Sequence, residues 1–164
     1  MIKLKNILNE VGEGSVKPYK SEEVDREGRF VYVRFTTDRG TEYEVDLELI
    51  EYPDPDDEDM NVDAMGIEFM AKIKGTQGYS SKVITNEGDL FKVMSTVVNI
   101  VKKYLKNRIF KDVKYLIYSP SKKIDQAGSK NQRDMIYRKF ITHAVPGARV
   151  VNNTNNAIIV IKIK

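Results

Sequence analysis

The sequence predicts an α+β domain: a twisted, largely antiparallel sheet packed by two long helices. Three observations carry this. Arg29–Thr36 and Thr41–Leu49 alternate apolar and polar residues with a period of two around an Asp38-Arg39-Gly40 turn, the pattern of a β-hairpin. From Leu90 to Leu105 apolar residues recur at helical spacing over so wide a face that the helix must lie on a sheet. Near the end of the sequence, two apolar runs flank an asparagine-rich turn, which reads as a second hairpin.

The elements follow in order. Leu4, Ile7, Leu8 and Val11 share one face of a short helix over residues 2–11, stopped by Gly12 and Gly14. Residues 17–27 are polar and read as a loop before the first hairpin. Residues 53–63 form an acidic, proline-containing loop, and 66–74 a third strand. Gly75-Thr76-Gln77-Gly78 turns the chain into a short strand over 79–85. Asn86 is placed to cap the first long helix, with Asp89 in its first turn complementing the positive helix end. Leu90, Met94, Val97, Val101 and Tyr104 form its apolar stripe, flanked by Phe91, Val98 and Leu105. Residues 112–119 hold an apolar run too short for a buried helix, ended by Pro120. A polar connector over 122–130 leads to the second helix, 131–143, with Ile136 and Phe140 inward and Pro146-Gly147 as the break. Residues 148–151 and 157–163 close the sheet around Asn152–Asn156. No repeat or linker divides the sequence, so one domain over 1–164 is expected.

Composition narrows the function classes. With 41% hydrophobic and 31% charged residues the chain is globular. No apolar run approaches the roughly 18–20 residues that span a bilayer, and the opening residues do not read as a signal peptide, so no membrane contact is expected. The absence of cysteine excludes disulfides, thiolate nucleophiles and thiolate–metal sites. The single histidine, His143, cannot by itself make a zinc site and sits where a helix end favours positive charge. No nucleophile elbow, Walker loop or dinucleotide fingerprint occurs. Asp57, Asp59, Asn61, Asp63 and Glu68 match much of a calcium-loop spacing, but Val62 stands where the turn needs glycine and strands flank the segment, so a solvated acidic loop is expected and no metal.

The net charge of +3 conceals an asymmetry: residues 1–82 sum to −8 and residues 83–164 to +11. Such a separation fits an anionic partner for one end, a self-complementary assembly, or simple interleaving of the two halves in one body. The basic set within the second half is Lys102, Lys103, Lys106, Arg108, Lys111, Lys114, Lys122, Lys123, Lys130, Arg133, Arg138 and Lys139. Tyr115 and Tyr118 are interleaved with them, a composition suited to phosphate contact with base stacking, as well as to an ordinary solvated helix face. Lys102, Lys103, Lys106, Lys122, Lys123, Lys130 and Arg133 are the candidate contacts to nucleic acid or a partner protein.

Three stretches carry a family resemblance: Met1–Glu10 with Lys17-Pro18-Tyr19, Phe91–Val101, and Tyr118-Ser119-Pro120-Ser121-Lys122 leading to Arg133–Ile141. Together they resemble a group of small, functionally uncharacterised proteins of tailed bacteriophages. The group has no activity to carry over; the expectation placed on it is an accessory or virion-associated protein in the host cytoplasm or the virion, binding other phage or host proteins. The second half also resembles the Gcn5-related N-acetyltransferase (GNAT) fold, in its strand, long helix, strand, helix and closing strands. That likeness implies acetyl-CoA as cofactor, Tyr137 as the acid for the leaving thiolate, Glu68 as the general base, and Asn86 and Gly88 at the cofactor loop. The loop departs from the family pattern: Thr85-Asn86-Glu87-Gly88-Asp89-Leu90 has one glycine and two carboxylates where a pyrophosphate would sit. The expectation is therefore binding through the basic second half without a cofactor, with N-acyltransfer as the alternative.

Overall fold

The computed structural model describes residues 16–81, 88–118, 132–153 and 159–164. The expected helix over 2–11, the cap at Asn86 and the connector over 122–130 lie outside them. Within the described residues the protein is α+β, with an eight-stranded open sheet and two helices. The strands are β1 (Ser21–Glu27), β2 (Phe30–Thr36), β3 (Glu42–Asp54), β4 (Asp57–Lys72), β5 (Tyr79–Ser80), β6 (Tyr115–Tyr118), β7 (Arg149–Asn153) and β8 (Ile159–Lys162). The helices are α1 (Leu90–Leu105) and α2 (Gln132–Ala144). Their order across the sheet is β1-β2-β3-β4-β6-β8-β7, with β5 paired to β4 off this path. Every pairing is antiparallel except β4 with β6, and parallel neighbours require a long crossover, which the segment containing α1 supplies.

Alternation decides which side chains face α1. Val31, Val33 and Phe35 of β2, Tyr43, Val45 and Leu47 of β3, Met65 and Ile67 of β4, and Leu116 of β6 are buried in the main core. Across it α1 buries Val93, Met94, Val97, Val98, Ile100, Val101 and Tyr104. Full burial of each such side chain contributes about 1.5–3 kcal/mol. Phe91 of α1 stacks on Phe140 of α2 at 5.9 Å, so α2 adds to the same layer. Tyr19 joins this layer through its backbone N–H, which donates to the buried Thr96 hydroxyl at 2.9 Å.

Several boundaries differ from those expected. Residues 21–27 are not loop: they pair with β2 as an edge strand, a polar one with a bulge between Glu23 and Asp25, so apolar alternation could not reveal it. The acidic stretch 53–63 is likewise mostly strand, with a turn at Pro55-Asp56 between the paired Asp54 and Asp57. Helix α1 begins at Leu90, with Asp89 in the N-cap position making no side-chain cap bond, and Leu90 itself is exposed. Asp89 instead accepts a hydrogen bond from the Tyr19 hydroxyl at 2.6 Å.

The outer β3–β4 hairpin bends over the sheet face opposite the helices. Its tip reaches back so that Asp54 accepts the Tyr115 hydroxyl at 2.7 Å and Asp56 pairs with Lys162. Beneath it lies a second small core of Ala64, Tyr115, Ile117 and Val160, flanked by Ile50, Tyr52, Val62 and Val151. Acidic residues at the tip thus serve as ties to β6 and β8.

Candidate functional site

The two charge populations occupy different regions. The basic one is held at the C-terminal end of α1. Lys102, Lys103 and Lys106 are exposed there, as are Arg108, Lys111 and Lys114 in the segment leading to β6. Part of this placement follows from the helix: Lys102 and Lys103 lie in its last turn, where the exposed carbonyls favour cations. The following segment is held by fully buried Phe110 and nearly buried Val113, which force the polar residues between them outward. Its turns close through Phe110 N–H to the Asn107 carbonyl at 3.1 Å and Val113 N–H to the Phe110 carbonyl at 3.2 Å. Lys114 N–H donates to the Asp63 carbonyl at 3.0 Å, and Ile163 N–H to the Lys114 carbonyl at 2.9 Å, so the segment is tied into β4 and the residues after β8. Lys164 comes to the same end, its ammonium donating to the Lys111 carbonyl. Asp112 approaches Lys111 at 3.9 Å, and both are well exposed; Glu23 of β1, which accepts the Tyr104 hydroxyl at 2.5 Å, also feels the charge of Lys103, and Asp54 that of Lys114. Lys103 turns aside, its ammonium 5.4 Å from the Tyr104 ring centre.

The acidic population lies on the face of β1–β4 that no helix covers among the described residues. Cross-strand register lines it up in rungs: Glu22–Arg34–Glu44–Met70, Asp25–Tyr32–Asp46–Glu68 and Glu27–Phe30–Glu48–Gly66. Arg34 donates to Glu44 at 2.6 Å and its guanidinium lies 5.0 Å from the Tyr79 ring centre. Lys72 bonds Glu42 at 3.1 Å, and the Tyr79 hydroxyl also donates to Glu42. These contacts pin β5 to the sheet and use up two cations. Asp46 is left facing Glu68 directly, and its Oδ1 is buried with no hydrogen-bond partner among the described residues. Burial first, then the neighbouring Glu44 and Glu68, push its carboxyl up to about 7, against the opposite pull of Arg34.

Of the expected acyltransfer residues, Glu68 and Gly88 are among the described ones. Glu68 is exposed on the face opposite α1, while Gly88 is exposed just before the helix with φ +77. Asn86 and the side chain of Tyr137 lie outside the described residues, as do Lys122, Lys123, Lys130 and the side chain of Arg133. Beyond Ile67, where β6 leaves β4, the same edge of β4 is taken by β5 through Ala71 and Lys72. The stacking role expected for Tyr115 and Tyr118 is excluded by burial, at 1% and 6% exposure. Asp57, Asp59, Asn61 and Asp63 alternate along one extended strand, which spreads them over roughly 20 Å at ~3.4 Å per residue, too far to surround one cation. No cluster that could hold a metal ion occurs among the described residues. A shallow concavity of about 270 Å³ lies at the β1–β2 edge, between Lys20, Glu22, Val24, Arg34 and Glu42.

Sequence reasoning located the cations but missed the acidic face. The signal was present: Glu42, Glu44, Asp46 and Glu48 occupy every second position of the strand whose other face is apolar. Comparison of the chain with protein-family models, with curated proteins and with solved structures gave no match.

Proposed function

We propose that this protein acts by binding, as an accessory or virion-associated protein of the bacteriophage kind, in the host cytoplasm or the virion, and that its basic end contacts a polyanion such as nucleic acid. One observation supports this most: Lys102, Lys106, Arg108, Lys111 and Lys114 project from a helix end and a well-tied segment that has Asp112 as its acid. The backbone that carries these cations is already ordered, so only their side chains lose freedom on meeting phosphates, and each phosphate neutralised releases condensed counterions. Five such contacts imply a slope of about −4 to −5 in log affinity against log salt. The test is retention on duplex DNA between low and moderate salt, for the native chain and for Lys106→Glu/Lys111→Glu. The native chain should bind with that slope and the variant with a slope about 2 smaller. Absence of retention at low salt, or a slope that the variant leaves unchanged, removes the reading.

N-acyltransfer of the GNAT type is the second reading, favoured by the strand order with its one parallel pair at β4 and β6. It needs acetyl-CoA at the start of α1, with Glu68 as base and Tyr137 as acid. Two features weigh against it: β5 occupies the edge of β4 where the parallel strands part, and Asp89 places a carboxylate at the helix start. Acetyl-CoA at about 100 times its dissociation constant would stabilise the chain by about 2.7 kcal/mol. A melting temperature unmoved by millimolar acetyl-CoA ends this reading.

A further inference from the structure

The acidic face of β1–β4 holds Glu22, Asp25, Glu27, Asp46, Glu48 and Glu68, none of which is ion-paired among the described residues. Arg34 and Lys72 are already committed to Glu44 and Glu42. Placing Asp46 directly opposite Glu68 is destabilising in an isolated sheet, since like charges across a strand pair repel. It becomes favourable once a cation enters between them. The same chain presents such cations at the far end of α1, where Lys102, Lys106, Arg108 and Lys114 have no ion-pair partner among the described residues. We propose that the acidic face of β1–β4 is a docking surface for a second copy of this chain, which enters with its basic end.

Charge restricts the symmetry. A two-fold axis through either patch would lay acid on acid or base on base, so unlike patches must meet, either reciprocally across a two-fold axis set between them or head-to-tail. The head-to-tail form closes into a ring or continues as a filament. Size dictates its strength. Four strands at ~4.8 Å spacing and about five residues at ~3.4 Å cover roughly 300 Å², far below the ~800 Å² per partner of a stable interface. The association is therefore weak, visible at high protein concentration and low salt, and screened within a Debye length of ~10 Å at 0.1 M salt. This proposal rests on the reading of the basic end as a binding surface, and it implies that a polyanion and a second copy compete for that end.

Sedimentation velocity over a concentration series at about 20 mM and 300 mM salt tests it with three proteins, each first shown by melting to fold. The native chain should gain mass with concentration at the lower salt and be monomeric at the higher. Glu22→Lys/Glu27→Lys/Glu68→Lys, all at exposed positions, should be monomeric at both yet keep its retention on DNA. Lys106→Glu/Lys111→Glu should also be monomeric. Mixing the two variants should restore association, because each then offers the surface that the other has lost. A native chain that stays monomeric at the lower salt, association that survives in the face variant, or a mixture that stays monomeric overturns the proposal. DNA retention whose salt slope Lys106→Glu/Lys111→Glu leaves unchanged overturns the polyanion reading of the basic end and not the self-association, so the two failures are distinguishable.

Discussion

Replacing Asp46 by asparagine should stabilise this protein, and should do so only where the aspartate would be charged. In the folded chain its carboxyl is raised from 3.8 to about 7, chiefly by burial and then by Glu44 and Glu68. At ~1.36 kcal/mol per pH unit that rise corresponds to about 4 kcal/mol. The carboxyl is only partly buried, and solvent screening reduces the expected effect to about 2 kcal/mol. The sign follows from linkage. A folded pKa above the unfolded one means that the folded chain binds the proton more tightly, so stability falls as pH rises from about 4 to about 7 and levels off above that. Asparagine has the same shape and does not ionise, which removes this loss. Urea unfolding of the native chain and Asp46→Asn at pH 4 and pH 8 measures it. The variant should gain about 2 kcal/mol at pH 8 and only a few tenths at pH 4. A new hydrogen bond from the asparagine amide would add equally at both pH values, so the difference between them is the decisive quantity. An equal offset at the two, or a loss at pH 8, refutes the reasoning.

Three further outcomes test the fold. Thr96→Val removes the acceptor of the Tyr19 N–H in a site only 1% exposed; urea unfolding should show a loss of about 1–3 kcal/mol. Met94→Ala leaves a cavity between α1 and the sheet at a fully buried position, and the same measurement should show a loss of about 2–5 kcal/mol. Tyr115→Phe releases the tie from β6 to Asp54 at the hairpin tip; hydrogen exchange should quicken at residues 50–62 and stay unchanged in α1, whereas uniform quickening would mean that the hairpin is not a separate unit.

How much was legible depended on whether a signal was local. The first hairpin was readable because both of its strands pack one apolar face on the core, and the Gly40 turn takes φ +85, a conformation that glycine adopts without strain. The stripe of α1 was readable for the same reason, apart from Leu90, whose spacing fits the core but whose place at the helix start leaves it exposed. Strand β1 was not readable, since an exposed edge strand has no apolar face to announce it. The outer β3–β4 hairpin was hidden by its acids and two prolines; its partners Tyr115 and Lys162 are more than fifty residues away. The basic residues near position 110 could be listed from the sequence, yet their gathering with Lys164 depends on the residues after β8 lying beside that segment.

By itself the sequence determined the class of the fold, the core stripe of α1, the first hairpin and the opposite charges of the two halves. These are encoded by side-chain periodicity and composition, which act over a few residues. Tertiary structure alone decided that Glu22, Asp25, Glu27, Glu44, Asp46, Glu48 and Glu68 lie on one face of β1–β4, that Asp46 meets Glu68, and that the cations collect at the C-terminal end of α1. Those placements arise from strand register and from how distant segments meet, and strand register pairs residues that the chain itself keeps far apart.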